Sequence, residues 1–124
     1  LKNGATTIWE RWEKDVSEKE DNMHSYCHPM FASYDYWFYE YLAGIKTIAG
    51  ERGMQTFLVE PQFVSGVKDV RAEYLSFYGK IGVRIKNTEE EMSVEITVPP
   101  NARAVVKAFG KEKTFLSGKH VVKG

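Results

Sequence analysis

The amino-acid sequence predicts an α+β chain in which a short helical N-terminal part is followed by an antiparallel β-sandwich. Residues 1–50 hold all three tryptophans and the only cysteine, and one segment there has apolar residues at helical spacing. Residues 54–123 are mostly short alternating runs of apolar and polar residues, separated by glycine, proline and asparagine. This pattern is typical of antiparallel strands. We therefore predict a helical part over residues 1–50 and a sandwich over residues 51–124.

Composition excludes several classes of function. The chain has 124 residues, of which 43% are hydrophobic and 14% aromatic, enough for a packed core and too much for a disordered chain. The formal net charge is zero, and no stretch is basic enough to bind a nucleic-acid backbone. No apolar run reaches the roughly 18 residues of a membrane helix. We therefore expect no nucleic-acid partner and no membrane partner.

The residues before the predicted helix have weaker patterns. Residues 6–12 fit a strand and a first helical turn equally well. Residues 12–22 carry seven charged side chains, which is typical of a solvated loop or a short helix. The first residue is Leu1 and not methionine, so we expect a chain that was processed or cut from a longer one.

The clearest helix spans Ser33 to Gly44. The Ser33 hydroxyl can cap the first turn by accepting a hydrogen bond from an otherwise unpaired backbone N–H. Gly44 is suited to end the helix, and a continuation toward Gly50 is the alternative. A wide apolar stripe recurs at helical spacing, made of Trp37, Phe38, Tyr41, Leu42 and Ile45.

This stripe and the tryptophan-rich opening have no helical partner within the chain. We therefore expect a helical domain outside the chain to cover them. A large apolar patch without its partner favours association, so the isolated chain is predicted to form an oligomer or an intertwined arrangement.

The strands are predicted from alternation and from the residues that interrupt it. Residues 92–98 alternate most clearly, with Met92, Val94, Ile96 and Val98 on one face. Val70 and Tyr74 share a face of an earlier strand, which predicts that Tyr74 lies in the core. Strands at this spacing favour a β-sandwich. The predicted strands are residues 56–60, 70–77, 81–85, 92–98, 102–109, 114–116 and 120–122.

Several segments also carry recognisable motifs. Residues 4–12 read Gly-Ala-Thr-Thr-Ile-Trp-Glu-Arg-Trp, and residues 23–31 read Met-His-Ser-Tyr-Cys-His-Pro-Met-Phe. The first resembles a specific signature of bacterial α-L-rhamnosidases, glycoside hydrolase family 78. The second is similar to that family's Met-Asn-Ser-x-Asn-His-x-x-Phe run, with Cys27 where asparagine is common. Weaker similarity continues through residues 35–45, 59–61, 78–81 and 117–120, so the resemblance covers nearly the whole chain.

The resemblance implies both a fold and a reaction. Residues 1–50 would be the last part of a six-hairpin (α/α) barrel that carries the active site, and residues 51–124 its C-terminal β-sandwich domain. The upstream barrel of the same polypeptide would be the main partner. Family members hydrolyse terminal α-L-rhamnose with inversion, so the substrate would be a rhamnose-containing glycan or glycoside, without a metal or organic cofactor. The location in a bacterium stays open between periplasmic, extracellular and cytoplasmic.

Glu10 is the general base that the resemblance implies. Inversion needs two carboxyl groups roughly 6.5–9.5 Å apart, and the family's general acid has no match here, so we expect it upstream and the isolated chain to be inactive. From the residues alone, a glutamate beside Arg11 is most often a surface ion pair. Alternatively, a carboxylate between two tryptophan rings is partly desolvated, which favours proton uptake.

The other candidate site residues also have two interpretations each. His28 maps onto a histidine that contacts the sugar in the family, and a packed histidine is the alternative. Trp9 and Trp12 are either core residues or pocket walls, since aromatic rings pack on the apolar faces of a pyranose. Arg11 either binds a sugar hydroxyl or orients Glu10, and a structural ion pair is the favoured alternative.

A metal site and a binding module are the remaining hypotheses. His24, Cys27 and His28 lie close in sequence, but structural zinc sites usually show four ligands in two pairs, so no metal is expected. The alternative function is a non-catalytic sandwich that binds carbohydrate or braces the barrel. Tyr74, Phe77 and Tyr78 would bind glycan if they formed a flat exposed row.

Overall fold

The computed structural model describes residues 4–10 and 25–124. The chain divides into two compact units, Leu1–Tyr36 and Trp37–Gly124. Residues 4–10 form neither a strand nor a helix, and the whole charged segment at residues 12–22 lies outside the described part of the chain. No helix among the described residues has the length and apolar character needed to cross a bilayer.

The helical residues begin earlier than predicted. A 3-10 helix covers Pro29–Ser33, the α-helix α1 covers Tyr34–Trp37, and a π-helical turn covers Phe38–Leu42. His28 occupies the cap position without a side-chain cap hydrogen bond. The prediction of Ser33 as the cap was wrong because the proline after His28 starts the run, and its fixed φ suits a first helical residue.

Gly44 follows the helical run, as predicted. Its φ is +75°, a conformation that residues with a side chain rarely adopt. Its carbonyl accepts a hydrogen bond from the Glu60 N–H at 2.9 Å. The chain then enters strand β1, Ile45–Thr47. Ile45 is therefore a buried strand residue, and its assignment to the helical stripe was wrong.

The described residues form two four-stranded sheets. Their strand orders are β1-β2-β6-β7 and β3-β4-β5-β8. The predicted sequence of a short helical part followed by a β-sandwich is confirmed, and β1 is the strand that the alternation pattern missed. The strands are β1 Ile45–Thr47, β2 Thr56–Val59, β3 Asp69–Ser76, β4 Gly79–Asn87, β5 Met92–Val98, β6 Arg103–Ala108, β7 Lys111–Phe115 and β8 Gly118–Lys123.

One pair of neighbouring strands runs parallel. Strand β2 pairs with β6, with Thr56 opposite Arg103 and Val59 opposite Val106. Parallel neighbours need a long crossover connection, which here includes β3, β4 and β5 of the other sheet. The other pairings are antiparallel. The first sheet is thus mixed, a feature that alternation cannot reveal because it carries no information on strand direction.

Both sheets contribute to one apolar core. Phe57 and Val59 of β2 are fully buried, as are Ile81 of β4 and Val94 of β5. Burying each such side chain stabilises the fold by roughly 1.5–3 kcal/mol. Tyr74 was predicted in this core, but it is 43% exposed. It lies on β3, an edge strand that has a sheet neighbour on one side only.

Aromatic side chains of the second unit are exposed next to the first strand. Trp37, Phe38, Tyr39 and Tyr41 each retain close to half of their accessible surface. Exposed aromatic clusters of this kind mark interaction surfaces. A covering partner and a domain division at residue 50 stay predictions. Strand β1 lies before residue 50 in the chain, yet it hydrogen-bonds to β2 within the first sheet.

Two ion pairs lower the pKa values of their carboxyl groups. Lys46 Nζ donates to Glu60 Oε2 at 2.8 Å, and this hydrogen bond, together with the lysine charge, lowers the pKa of Glu60. The Arg84 guanidinium likewise lowers the pKa of Asp69. A carboxyl with a lowered pKa stabilises the fold above its unfolded pKa, and this contribution is lost as the pH falls through the folded value.

We predict that Gly44→Ala lowers the free energy of unfolding by at least about 2 kcal/mol. The left-handed conformation alone costs a residue with a Cβ about 1–2 kcal/mol, and this Cβ would lie 2.2 Å from the Glu60 carbonyl carbon. Gly50→Ala is the matched control, because Gly50 has a φ of +86° and open space around its Cβ position. Urea unfolding measures both variants, and equal losses would contradict the close approach.

We also predict that stability falls as the pH drops below about 4.3, the ordinary glutamate value. Glu60→Gln should be less stable than the unaltered chain at neutral pH, and the difference should vanish in acid. Glu73→Gln is the control, because the Glu73–Lys80 pair is more exposed and exposed pairs contribute little. Urea midpoints across the pH range measure the effect, and a Glu60→Gln deficit that persists in acid argues against it.

Candidate active site

Backbone hydrogen bonds hold two separate sequence segments side by side in the first unit. The Glu10 N–H donates to the Ser25 carbonyl at 2.8 Å, and the His28 N–H donates to the Ile8 carbonyl at 2.7 Å. The Thr7 hydroxyl also donates to the Tyr26 carbonyl. Residues 7–10 and 25–28 therefore lie next to each other, which brings Glu10 and His28 together from two motifs.

The Glu10 carboxylate is anchored by the main chain. Its Oε2 atom accepts a hydrogen bond from the Ser25 N–H at 3.0 Å. The same oxygen lies 4.0 Å from His28 Nδ1, which is too long for a hydrogen bond. The Glu10 side chain is 35% exposed and that of His28 is 22% exposed. The carboxylate is thus oriented by a backbone donor and still reachable by water, as a general base must be.

Aromatic contacts fix the side chains around this carboxylate. The His28 ring lies 4.7 Å from the Phe31 ring, and Trp9 meets Tyr26 edge to face at 5.4 Å. Such pairs stabilise one ring orientation over others. Each of the two rings, His28 near the carboxylate and Trp9 next to Glu10 in sequence, thus has an aromatic neighbour within the first unit.

A cavity of about 510 Å³ lies within the same unit. Its volume falls in the usual range for small-molecule pockets. Among the predicted site residues that the structure describes, Trp9 lines it, whereas Glu10 and His28 do not. The lining residues are Ala5, Thr6, Thr7, Ile8, Trp9, Phe31 and Tyr34.

The structure places three of the five predicted site residues. Glu10, His28 and Trp9 lie together, while Arg11 and Trp12 fall outside the described residues, so their roles stay predictions. Sequence reasoning missed Ser25, because a backbone N–H donor leaves no trace in residue type. It also missed Phe31 as the ring against His28, although Phe31 closes the second motif.

The potential metal ligands do not form a cluster in the described part of the chain. Cys27 is a free, exposed thiol, and no group of three or more His, Cys, Asp or Glu side chains is arranged there to hold an ion. His24 lies outside the described residues.

Comparison with known protein families separates the chain into two matched segments. The model of the bacterial α-L-rhamnosidase C-terminal domain matches residues 44–123. The model of the bacterial α-L-rhamnosidase six-hairpin glycosidase domain matches residues 1–42. The resemblance predicted from the two N-terminal motifs is therefore confirmed.

Individual relatives agree with these family matches. An α-L-rhamnosidase of Formosa agariphila is 27% identical over 121 residues, which is 96% of this chain and 13% of that protein. The α-L-rhamnosidase structure from Dictyoglumus thermophilum is 38% identical with a TM-score of 0.72, over 85% of this chain and 11% of that one. The Streptomyces avermitilis α-L-rhamnosidase, solved with L-rhamnose, is 26% identical with a TM-score of 0.74, over 97% of this chain and 14% of that one.

The chain thus spans about an eighth of the relatives that it matches. It matches them through part of a six-hairpin glycosidase domain and through the sandwich that follows. The chain belongs to the bacterial α-L-rhamnosidase family and corresponds to a C-terminal segment of such a protein.

Proposed function

We propose that this chain supplies one half of the catalytic pair of an inverting α-L-rhamnosidase, with Glu10 as the general base. The observation that carries the proposal is the Glu10 carboxylate, which is oriented by the Ser25 N–H at 3.0 Å and remains one-third exposed. It lies in the segment that matches the six-hairpin glycosidase domain. An anchored and water-accessible carboxylate is what the activation of a nucleophilic water requires.

The chemical step needs only one proton acceptor from this chain. A water beside Glu10 attacks the anomeric carbon of a terminal α-L-rhamnose while its proton passes to the carboxylate. The glycosidic C–O bond breaks, and the leaving oxygen takes a proton from a carboxylic acid upstream in the longer protein. The two carboxyl groups would lie roughly 6.5–9.5 Å apart, which leaves room for the water and sets inversion.

His28, Trp9, Trp12 and Arg11 are proposed to form part of the rhamnose subsite. The contact with Phe31 supports a fixed His28 ring that can meet a sugar hydroxyl. Trp9 lines a cavity, which supports a wall against the methyl group and C–H faces of rhamnose. For Trp12 and Arg11, the support is the resemblance of their motif alone.

The wider context of the chain is also part of the proposal. The substrate is a rhamnose-containing glycan or glycoside, and the main partner is the upstream helical barrel of the same polypeptide. The exposed aromatic rings from Trp37 to Tyr41 are suited to contact that barrel. The sandwich over residues 51–124 would then brace the catalytic domain, and no metal or organic cofactor takes part.

In the longer parent protein, Glu10→Gln is expected to lower kcat on an aryl α-L-rhamnoside by about 10²–10⁴-fold, because an amide cannot accept the proton of water. Glu89→Gln is the control, since Glu89 is an exposed residue of the turn between β4 and β5. Steady-state kinetics of both variants measure the difference.

A structural role for Glu10 is distinguished by chemical rescue. Azide needs no deprotonation, so it should restore turnover of Glu10→Ala and give a rhamnosyl azide of inverted configuration. Ordinary turnover by Glu10→Gln, or loss of activity without azide rescue in a folded Glu10→Ala protein, would reject the general-base role.

The isolated 124-residue chain is predicted to be inactive on the same aryl rhamnoside. It holds the proposed base, while the general acid is expected upstream. Release of the aryl group is followed by absorbance, with the longer parent protein as the positive control. Turnover by the purified chain that Glu10→Gln abolishes would show that the chain already contains a complete site.

A further inference from the structure

A groove of about 500 Å³ opens on the sandwich, beside the hairpin that joins β3 and β4. One wall comes from the end of β1 and the loop that leads to β2. The other wall comes from Tyr74 and the residues up to Phe77. All of its lining residues lie within the second unit, and none belongs to the site around Glu10.

Aromatic rings stand open to solvent along this groove. Phe77 at the hairpin turn is 96% exposed, Leu75 is 80% exposed and Tyr74 is 43% exposed. The Phe77 ring lies beside Gly53, where an added Cβ would be 3.2 Å from its Cδ2 atom. Tyr78 packs against the core. The flat row of Tyr74, Phe77 and Tyr78 is therefore absent, and two rings flank a groove instead.

Polar side chains with unused hydrogen-bonding capacity line the same groove. The Glu51 carboxylate and the hydroxyls of Thr47 and Thr56 have no side-chain hydrogen bond or ion pair with any described residue. In the loop between Thr47 and Thr56, the Glu51 N–H donates to the Ile48 carbonyl at 3.1 Å. Met54 in the loop combines a buried side chain with a φ of +65°, the kind of strain that concentrates at binding sites.

We propose that this groove is a second carbohydrate site, which binds a neutral pyranose unit of a glycan. The rings of Tyr74 and Phe77 would pack on the C–H faces of the sugar. The threonine hydroxyls and the Glu51 carboxylate would pair with sugar hydroxyls, as the few polar groups of a ligand pocket do. Glu51 is the one charged side chain among the described lining residues, so an anionic sugar is disfavoured.

Titration of the 15N-labelled 124-residue chain with methyl α-L-rhamnopyranoside tests the proposal. The amide signals of Thr47, Thr56 and Ser76 should shift and saturate with a Kd of about a millimolar, typical of a weak single-sugar site. A methyl glucuronoside, which carries a carboxylate, should bind at least about fivefold more weakly because Glu51 repels it.

Phe77→Ala should weaken binding about tenfold, the loss of one stacking ring. It should leave the fold intact because Phe77 is almost fully exposed. Leu116→Ala is the matched control, an exposed apolar residue in the connection between β7 and β8, and it should bind like the unaltered chain. Glu51→Gln should remove the preference for the neutral sugar.

Several results would overturn the proposal. The groove is not a sugar site if the signals stay unmoved at tens of millimolar sugar, or if Phe77→Ala binds normally. A Phe77→Ala variant of the longer parent that melts earlier, with unchanged sugar binding, would instead assign the groove to contact with the rest of the polypeptide. The titration does not depend on Glu10. If the groove binds the sugar while the longer parent protein does not hydrolyse rhamnosides, the proposed hydrolysis is rejected and this site is kept.

Discussion

The turn at Gly44 is the constraint on which the rest of the second unit depends. The helical run ends there, and the left-handed backbone turns the chain directly into the first sheet. Main-chain atoms of Gly44 and Glu60 approach so closely that no side chain fits between them. The hydrogen bond from the Glu60 N–H to the Gly44 carbonyl then closes the turn onto the end of β2. One glycine thereby sets where the exposed aromatic helix residues meet the sandwich.

Main-chain hydrogen bonds also orient the proposed catalytic carboxylate. Glu10 is oriented by a backbone donor, and the two segments around it are joined by backbone hydrogen bonds. A site built in this way tolerates changes of neighbouring side chains, such as Cys27, whose thiol is exposed. The segment can therefore carry Cys27 in place of the family's asparagine and still place Glu10 beside His28.

The sequence predicted the sandwich well because alternation reports burial directly. Strand β5 was predicted with its observed ends, Met92–Val98. Strand β1 was missed because three residues are too few to show an alternation of apolar and polar side chains. The parallel β2–β6 pair was missed because the direction of a strand leaves no pattern in its residue types. In the site, the motif resemblance pointed to Glu10 and His28. The Ser25 donor and the open groove at Phe77 depend on the folded chain, so residue types alone could not reveal them.

Glu10 is proposed to activate a water that attacks with inversion, and the anomer of the first product tests this role most directly. The longer parent protein is mixed with an aryl α-L-rhamnoside, and proton NMR records which rhamnose anomer appears before mutarotation. We expect β-L-rhamnose first, because a water activated by Glu10 enters from the face opposite the leaving group. If α-L-rhamnose appears first, the reaction retains configuration and Glu10 cannot be the base of an inverting pair.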